Sequence, residues 1–280
     1  MKHLIISNLI IGLAFLVPAQ SSAKIVRLLS IGNSFSEDAV EQYLYELCLE
    51  DGDTLIIGNA YQSGYSLKMH LDDVVAGISQ IEYCKVLKGV RHITKKQNLL
   101  SILKDEPWDI ITLQQVSQDA GDFSTYEPYM SSLMSFLKNN KTNSNAVFGF
   151  HMTWAYAKTA EHPGFVKYCN NQLKMYKSIA KAIKKMKLRH KDIAFVVPSG
   201  TAIQNVRTSP IGDNLNRDGF HLNYGVGRYA AACTWSEIIT GKSCIGKRFA
   251  PAKVDVATKE IVQKCAHNAI LKPYKVTKYK

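Results

Sequence analysis

The sequence predicts an α/β fold: a three-layer α/β/α sandwich with a mostly parallel, about five-stranded sheet. Short apolar runs alternate along the chain with longer amphipathic stretches, which is the order expected of strands joined by helices. The 280 residues are 46% hydrophobic, which is enough apolar material for one large core. The sequence contains no repeat, low-complexity tract or polar linker that divides it, so residues 24–280 are predicted to form a single domain.

The predicted strands are apolar runs bounded by turn-forming residues. The first run, IVRLLSI, is apolar over most of its length, as expected of a strand buried between two helical layers. Pro198 stops the last strand because proline has no N–H to give to a sheet. Residues 82–92 are predicted to form either a small hairpin or an irregular excursion. In chain order, the predicted strands are 25–31, 54–60, 109–113, 146–150 and 193–197.

The stretches between and after these strands have the apolar spacing of helices. The longest has Ile179 and Ile183 on the face to be buried, and its lysines form a solvated face. Gly241 ends a later helix, in the position that favours glycine. In chain order, the predicted helices are 37–49, 67–75, 98–104, 126–137, 165–186, 228–240 and 255–269.

The first 23 residues have the features of a cleaved signal peptide. Lys2 and His3 give a basic start, residues 4–17 are mostly apolar, and the small residues Ser21 and Ala23 stand where signal peptidase cleaves. The apolar run is shorter than the roughly twenty residues that a membrane helix needs. We therefore expect an exported protein, periplasmic or extracellular, with no stable membrane insertion after the signal is cleaved.

The charge and the cysteines limit the classes of partner and site. The formal net charge is +12, but the sequence contains no recognised nucleic-acid module and no aromatics interleaved with its lysines, so nucleic acid is not an expected partner. An exported protein can carry disulfides, and the last three cysteines are the best source of a pair, although buried free thiols are an equal alternative. Cysteine and histidine spacing does not predict a metal site. The six cysteines are Cys48, Cys84, Cys169, Cys233, Cys244 and Cys265.

Polar residues that can carry chemistry follow the predicted strands, at the sheet edge where ligands of α/β folds bind. Ser34 follows the first strand, and with Glu37 three residues later it fits either a helix cap or a nucleophile. Asp218 and His221 stand three apart in a late loop. This spacing lets the carboxylate hold the imidazole Nδ1, which leaves Nε2 to take a proton from the serine.

These motifs, in this order, resemble those of the SGNH/GDSL hydrolase superfamily. The matching blocks are Gly32-Asn33-Ser34, then Gly64 after the second strand, then Asp218-x-x-His221. The segment 218–229 looks like exported bacterial members of unassigned function. The resemblance implies an esterase in which Ser34, His221 and Asp218 are catalytic. It also implies that the backbone N–H groups of Ser34 and Gly64 form the oxyanion hole, with no metal or organic cofactor.

The third block of that family departs from its usual form here. The family normally has Gly-x-Asn-Asp, whose Asn side chain gives a third N–H to the oxyanion. This sequence has Leu113-Gln114-Gln115-Val116-Ser117-Gln118-Asp119 instead. Carbohydrate acetylesterases of the superfamily place a Gln directly after this strand, which favours Gln114. A gapless match favours Gln118, the second choice, and a glutamine amide can donate as asparagine does.

The substrate implied by export and by the resemblance is an acylated, and more narrowly acetylated, carbohydrate or another small ester. His151 and Trp154, with Tyr156 just behind, are expected to line the cleft, where an exposed Trp-Tyr pair would stack on a sugar. A buried or capping role for His151 is the alternative. Two other functions remain open: a short-chain lipid or general acyl esterase, and a non-catalytic glycan-binding or envelope protein that keeps the fold.

Overall fold

The computed structural model describes residues 24–280, so the predicted signal peptide lies outside the described residues. Seven strands form one sheet in the order β4-β3-β2-β1-β5-β6-β7. Five of them pair in parallel, and β3 pairs antiparallel with both β2 and β4. The predicted α/β class with a mostly parallel sheet is confirmed, and the number of strands is larger than the predicted five. The strands are β1 (Ile25–Gly32), β2 (Thr54–Tyr61), β3 (Ile81–Leu87), β4 (Val90–Gln97), β5 (Ile110–Leu113), β6 (Val147–His151) and β7 (Ile193–Val197).

The two additional strands, β3 and β4, form a hairpin. A hairpin was one of the two alternatives predicted for residues 82–92. Lys88 and Gly89 connect β3 to β4, and both have positive φ angles, 51° and 77°. Such angles match the twist of a tight two-residue hairpin. Nearly every side chain of β4 is exposed, because β4 lies at the sheet edge. A strand without a buried face lacks the hydrophobic alternation that identifies strands in a sequence.

Most of the helices that flank the sheet belong to two groups, and each helix contacts other helices of its own group. One group contains α1, α2, α7, α8 and α9, and the other contains α3, α4 and α5. Strand β1 is buried along most of its length, as expected of a strand with helices on both faces. Among the helices of residues 24–280, none combines the length and the hydropathy needed to cross a bilayer. The helices are α1 (Ser34–Val40), α2 (Leu44–Glu50), α3 (Leu67–Ala76), α4 (Leu99–Asp105), α5 (Tyr129–Asn140), α6 (Gln172–Arg189), α7 (Ser199–Val206), α8 (Val226–Thr240) and α9 (Val256–Leu271).

Two predicted helices are interrupted where the backbone enters the left-handed region. The predicted helix 37–49 is divided into α1 and α2, because Tyr43 between them has a φ of 68°. The predicted helix 165–186 is divided into a 3₁₀ helix, Pro163–Tyr168, and α6, because Cys169 has a φ of 56° and Asn170 a φ of 50°. The sequence analysis also missed α7, which starts directly after Pro198.

The strand order sets the position of the cleft. From β1, the parallel sheet continues to β2 on one side and to β5 on the other. In open α/β sheets, the point where the strand order reverses opens a crevice at the carboxyl ends of the strands. Ser34 follows β1 and Gln114 follows β5, so both residues lie at this reversal.

Candidate active site

The turn after β1 places Ser34 at the start of a helix without using its side chain as a cap. Asn33 is the N-cap of α1, and its Oδ1 accepts a hydrogen bond from the Phe35 N–H at 3.0 Å. The alternative that Ser34 caps the helix is therefore wrong. Glu37, the other member of the expected capping box, lies 3.2 Å from the Arg228 guanidinium instead. The Ser34 hydroxyl is free to make a different contact.

That contact is to the imidazole of His221. The Ser34 Oγ lies 2.8 Å from His221 Nε2, and His221 Nδ1 lies 2.6 Å from Asp218 Oδ2. Because a carboxylate only accepts hydrogen bonds, this contact assigns the proton to Nδ1. Nε2 is then the acceptor for the serine hydroxyl. The structure brings the three residues together in the arrangement that the spacing of the sequence motifs predicts.

Asp218 is held by its own loop. Its Oδ1 accepts the backbone N–H groups of His221 at 2.7 Å and of Phe220 at 3.1 Å. Partial burial raises the pKa of the Asp218 carboxyl, but the hydrogen bonds from the His221 ring and from these two N–H groups outweigh it and lower the pKa below its usual value. The Asp218 carboxyl is therefore ionised at physiological pH.

The two backbone N–H groups predicted to form the oxyanion hole, those of Ser34 and Gly64, have no backbone acceptor among the described residues. As the first residue of α1, Ser34 has an N–H without an acceptor in its own helix. Gly64 lies in an exposed turn with a φ of 69°, and its N–H has no backbone acceptor among the described residues. The side chain of Asn33 ties this turn to the serine, because its Nδ2 donates to the Tyr65 carbonyl oxygen at 2.8 Å. Both predicted backbone donors are thus held relative to each other.

Gln114 lies behind the serine in a buried polar network. Its Nε2 donates to Asn33 Oδ1 at 2.7 Å, and its Oε1 accepts from His151 Nδ1 at 2.8 Å. The side chain packs directly against Gly32, where an added Cβ would lie 2.7 Å from Gln114 Cδ. By contrast, Gln118 packs against Gly164 in the 3₁₀ helix Pro163–Tyr168, where a Cβ added to the glycine would lie 2.3 Å from Gln118 Cβ.

The residues expected to stack on a sugar are buried. Trp154 and Tyr156 are each 0% exposed, so the expectation of an exposed aromatic pair is wrong. Trp154 stacks on Phe35 at 4.4 Å between ring centroids, and its Nε1 donates to the Phe220 carbonyl oxygen at 2.7 Å. Trp154 therefore supports the elements that carry Ser34 and His221 from below, where it cannot act as a sugar platform.

His151 has the buried role that the sequence analysis held as its alternative. It is 1% exposed, and its ring lies edge-on to those of Trp154 and Trp235. Burial lowers the pKa of His151 to about 3, so the ring is neutral at physiological pH. Its Nδ1 is therefore the donor to Gln114 Oε1, and its Nε2 is buried without a partner among the described residues.

The sequence motifs did not identify Asn33 as a residue that supports the site. It could have been identified, because asparagine directly before a helix is a preferred cap. In residues 24–280, no group of three or more His, Cys, Asp or Glu side chains is arranged to hold a metal ion. All six cysteines are free thiols, and only Cys169 is exposed.

Known proteins match this chain in sequence and in structure. A family model described as "Domain of unknown function (DUF4886)" matches residues 27–269. A DUF4886 family protein from Bacteroides uniformis shares 44% sequence identity with a TM-score of 0.88, and the alignment covers 91% of this chain and 98% of that chain. A search of the curated proteins found no match.

More distant structures are similar in fold alone. A putative SGNH hydrolase from Slackia heliotrinireducens has 20% identity and a TM-score of 0.50 over 77% of this chain and 99% of that chain. A catalytic mutant of an acetylxylan esterase from Geobacillus stearothermophilus has 13% identity and a TM-score of 0.50 over 80% of this chain and 97% of that chain. The resemblance to the SGNH superfamily is therefore confirmed at the level of the fold.

The Asn33 network predicts an unusually costly cap. Asn33→Ala removes the cap of α1 and leaves Gln114 Nε2 and the Tyr65 carbonyl oxygen without their buried partner. Asn98→Ala is the matched control, because Asn98 caps α4 through the Ser101 N–H at an exposed position. We expect Asn98→Ala to lower the free energy of unfolding by about 1 kcal/mol and Asn33→Ala by about 2–4 kcal/mol. Urea denaturation measures both, and equal losses would contradict the network.

The buried His151 predicts a loss of stability in acid. In the unfolded chain, histidine has a pKa of about 6.5, whereas that of His151 in the folded protein is about 3. Between these pH values, His151 is protonated in the unfolded state and neutral in the folded state. Stability therefore falls as the pH falls through this window. His151→Asn removes the titration, and its amide keeps a donor for Gln114 Oε1. Between pH 6 and pH 4, we expect the slope of unfolding free energy against pH to be shallower by up to about 1.4 kcal/mol per unit. Parallel curves for the two proteins would contradict this assignment.

Proposed function

The chain belongs to the DUF4886 family, and we propose that it is a serine esterase that removes acyl groups, acetyl above all, from carbohydrates. One observation carries this proposal: the continuous hydrogen-bonded chain from the Ser34 hydroxyl through His221 to Asp218. A serine paired with a carboxylate-oriented histidine is an arrangement that serves nucleophilic catalysis on many folds. The shared SGNH fold is consistent with it but supports only the architecture.

The proposed reaction follows the geometry of these three residues. His221 Nε2 takes the proton of the Ser34 hydroxyl while Ser34 Oγ bonds to the ester carbonyl carbon. The tetrahedral intermediate then collapses, the bond to the alcohol oxygen breaks, and His221 returns the proton to that oxygen. Water then attacks the acyl carbon while His221 Nε2 takes its proton. The bond between that carbon and Ser34 Oγ breaks, the acid leaves, and His221 returns the proton to Ser34 Oγ. Asp218 holds the Nδ1–H and stabilises the imidazolium that forms in each step.

The oxyanion is proposed to bind between Ser34 N–H, Gly64 N–H and the amide of Gln114. The Gln114 amide has two N–H groups and gives one of them to Asn33, so a second remains. Gln114 contacts Gly32, directly before the serine turn, whereas Gln118 packs against Gly164 in the 3₁₀ helix Pro163–Tyr168. These contacts favour Gln114 over Gln118 as the third donor. A donor of this kind typically contributes about 3–4 kcal/mol to transition-state stabilisation.

A polar cavity supports a carbohydrate as the substrate class. It has a volume of about 400 Å³ and borders Asp218 and Gly219. The side chains of Asp213, Asn216 and Arg217 line it, and such groups suit sugar hydroxyls better than a lipid chain. If the leader at residues 1–23 directs export as proposed, the enzyme acts on glycans outside the cytoplasm.

Replacing the nucleophile tests the proposal. We expect Ser34→Ala to lower kcat for p-nitrophenyl acetate, and acetate release from acetylated xylan, by about 10⁴-fold or more, because no other group can form the acyl-enzyme. Ser124→Ala, which changes an exposed serine at a 3₁₀ turn, is the control and should hydrolyse at the rate of the unmodified protein. Hydrolysis by Ser34→Ala at the parent rate, in a folded protein, would rule out this serine.

The lowered pKa of Asp218 predicts a simple acid limb in the pH profile. Since the Asp218 carboxyl stays ionised as the pH falls, the decline of kcat/KM should follow the uptake of no more than one proton, to which Asp218 does not contribute. Asp218→Asn should lower kcat by about 10⁴-fold, because the imidazole loses the group that fixes its tautomer. Asp255→Asn is the matched control, since Asp255 also accepts backbone and side-chain hydrogen bonds but caps the distant α9. A two-proton acid limb, or equal activity of the two variants, would contradict the assigned role of Asp218.

A further inference from the structure

The loop that carries Asp218 and His221 is anchored to the helix of Ser34 by one buried carboxylate. Asp38 is fully buried in α1, one helical turn after Ser34. Its Oδ2 accepts the Leu222 N–H at 2.7 Å, and its Oδ1 accepts from Arg217 Nη1 at 2.8 Å. Arg228 Nη2, at the start of α8, lies 2.5 Å from the same oxygen.

These contacts differ in kind from those inside the loop. Asp218 and His221 are three residues apart and hold each other locally. The loop closes on itself through the bridge between Asn216 and Leu222 and through the Arg217 N–H, which donates to the His221 carbonyl oxygen at 2.9 Å. The acid–base pair can therefore persist wherever the loop lies. Its distance from Ser34 depends on what holds the loop. Trp154 Nε1 and the Ala157 N–H donate to carbonyl oxygens of the loop, and Asp38 joins the loop to α1 itself.

From this arrangement we infer that Asp38 is a positioning residue that docks the His221 loop against the nucleophile. The inference rests on the proposed function for its catalytic consequence. Ser34 and Asp38 are four residues apart, so they share one face of α1 and move together. A shift of the loop away from Asp38 lengthens the Ser34 to His221 contact directly. Misplacement by about 1 Å can lower a rate by about 100-fold.

The surroundings of Asp38 explain why a neutral side chain cannot replace it. A buried carboxylate needs opposite charges and hydrogen-bond donors, and Asp38 has two guanidinium groups and one N–H. In Asp38→Asn, one side of the side chain becomes an N–H₂ donor. It faces either the guanidinium groups of Arg217 and Arg228, which are donors themselves, or the Leu222 N–H, which then loses its acceptor. Arg228 is also buried, so it loses its closest charge partner. The docking of the loop then weakens, while the local pair of Asp218 and His221 stays intact.

Asp38→Asn tests the inference against Asp51→Asn as a matched control. Asp51 follows the last residue of α2, outside the site, and pairs with the buried Lys247, so the control also removes a partly buried carboxylate from an ion pair. We expect Asp38→Asn to lower kcat for p-nitrophenyl acetate by about 100-fold with little change in KM, and Asp51→Asn to stay near the parent rate. Hydrogen exchange should show loss of protection at the Leu222 amide and across residues 217–224 in Asp38→Asn alone.

A second variant keeps the test decisive if Asp38→Asn does not fold. Arg217→Gln changes a partly exposed side chain, removes one partner of Asp38 and leaves Arg228 in place. We expect faster exchange in residues 217–224 and a smaller decrease in kcat. Parent-like exchange in this loop, or a parent-like kcat, in a folded variant would overturn the inference. If the parent protein hydrolyses no ester, the proposed function fails, and the exchange comparison still decides whether Asp38 docks the loop.

Discussion

The side chain of Asn33 is the interaction on which the geometry of the site depends. Its two amide atoms bind the first turn of α1, the Tyr65 carbonyl and the Gln114 amide, and so join the ends of β1, β2 and β5. Through Gln114 the network reaches His151 at the end of β6. Because every member is buried, a broken contact leaves a polar atom without water to replace it. The turn that presents Ser34 is therefore fixed from behind.

The carboxylates of Asp218 and Asp38 have different surroundings, in line with the different roles proposed for them. Asp218 is partly exposed and keeps its charge through hydrogen bonds from its own loop, so its pKa is lowered. Burial raises the pKa of the Asp38 carboxyl, while Arg228 and Arg217 act against that rise. Asp218 thereby keeps its charge beside the imidazole of His221, as its proposed role requires. A group that fixes a loop is more effective when it is buried and multiply paired.

The sequence predicted those features whose signal is local. Ser34 and the Asp218–His221 pair follow from motif order, and the parallel strands follow from apolar runs. Exposure was less predictable: Trp154 has the composition of a sugar platform, but its contacts with Phe35 and Phe220 come from segments far apart in the chain. Strand β4 was not predicted with certainty, because this edge strand has no buried apolar face and therefore no hydrophobic alternation. The role of Asp38 was not predicted, because its partners lie about 180 residues away in the sequence and spacing rules describe only neighbouring residues.

The altered third block is explained by the space beside Gly32. A glutamine is one methylene longer than an asparagine, and Gln114 uses this length to lie against the Gly32 backbone, in the volume that any Cβ there would need. The glycine before the serine and the glutamine after β5 therefore constrain each other sterically. Asn33 completes the arrangement, because its Oδ1 accepts both the Gln114 amide and the Phe35 N–H. The departure from the usual third block is therefore accommodated by packing, because Gln114 fills the space beside Gly32 and its amide supports the serine turn through Asn33.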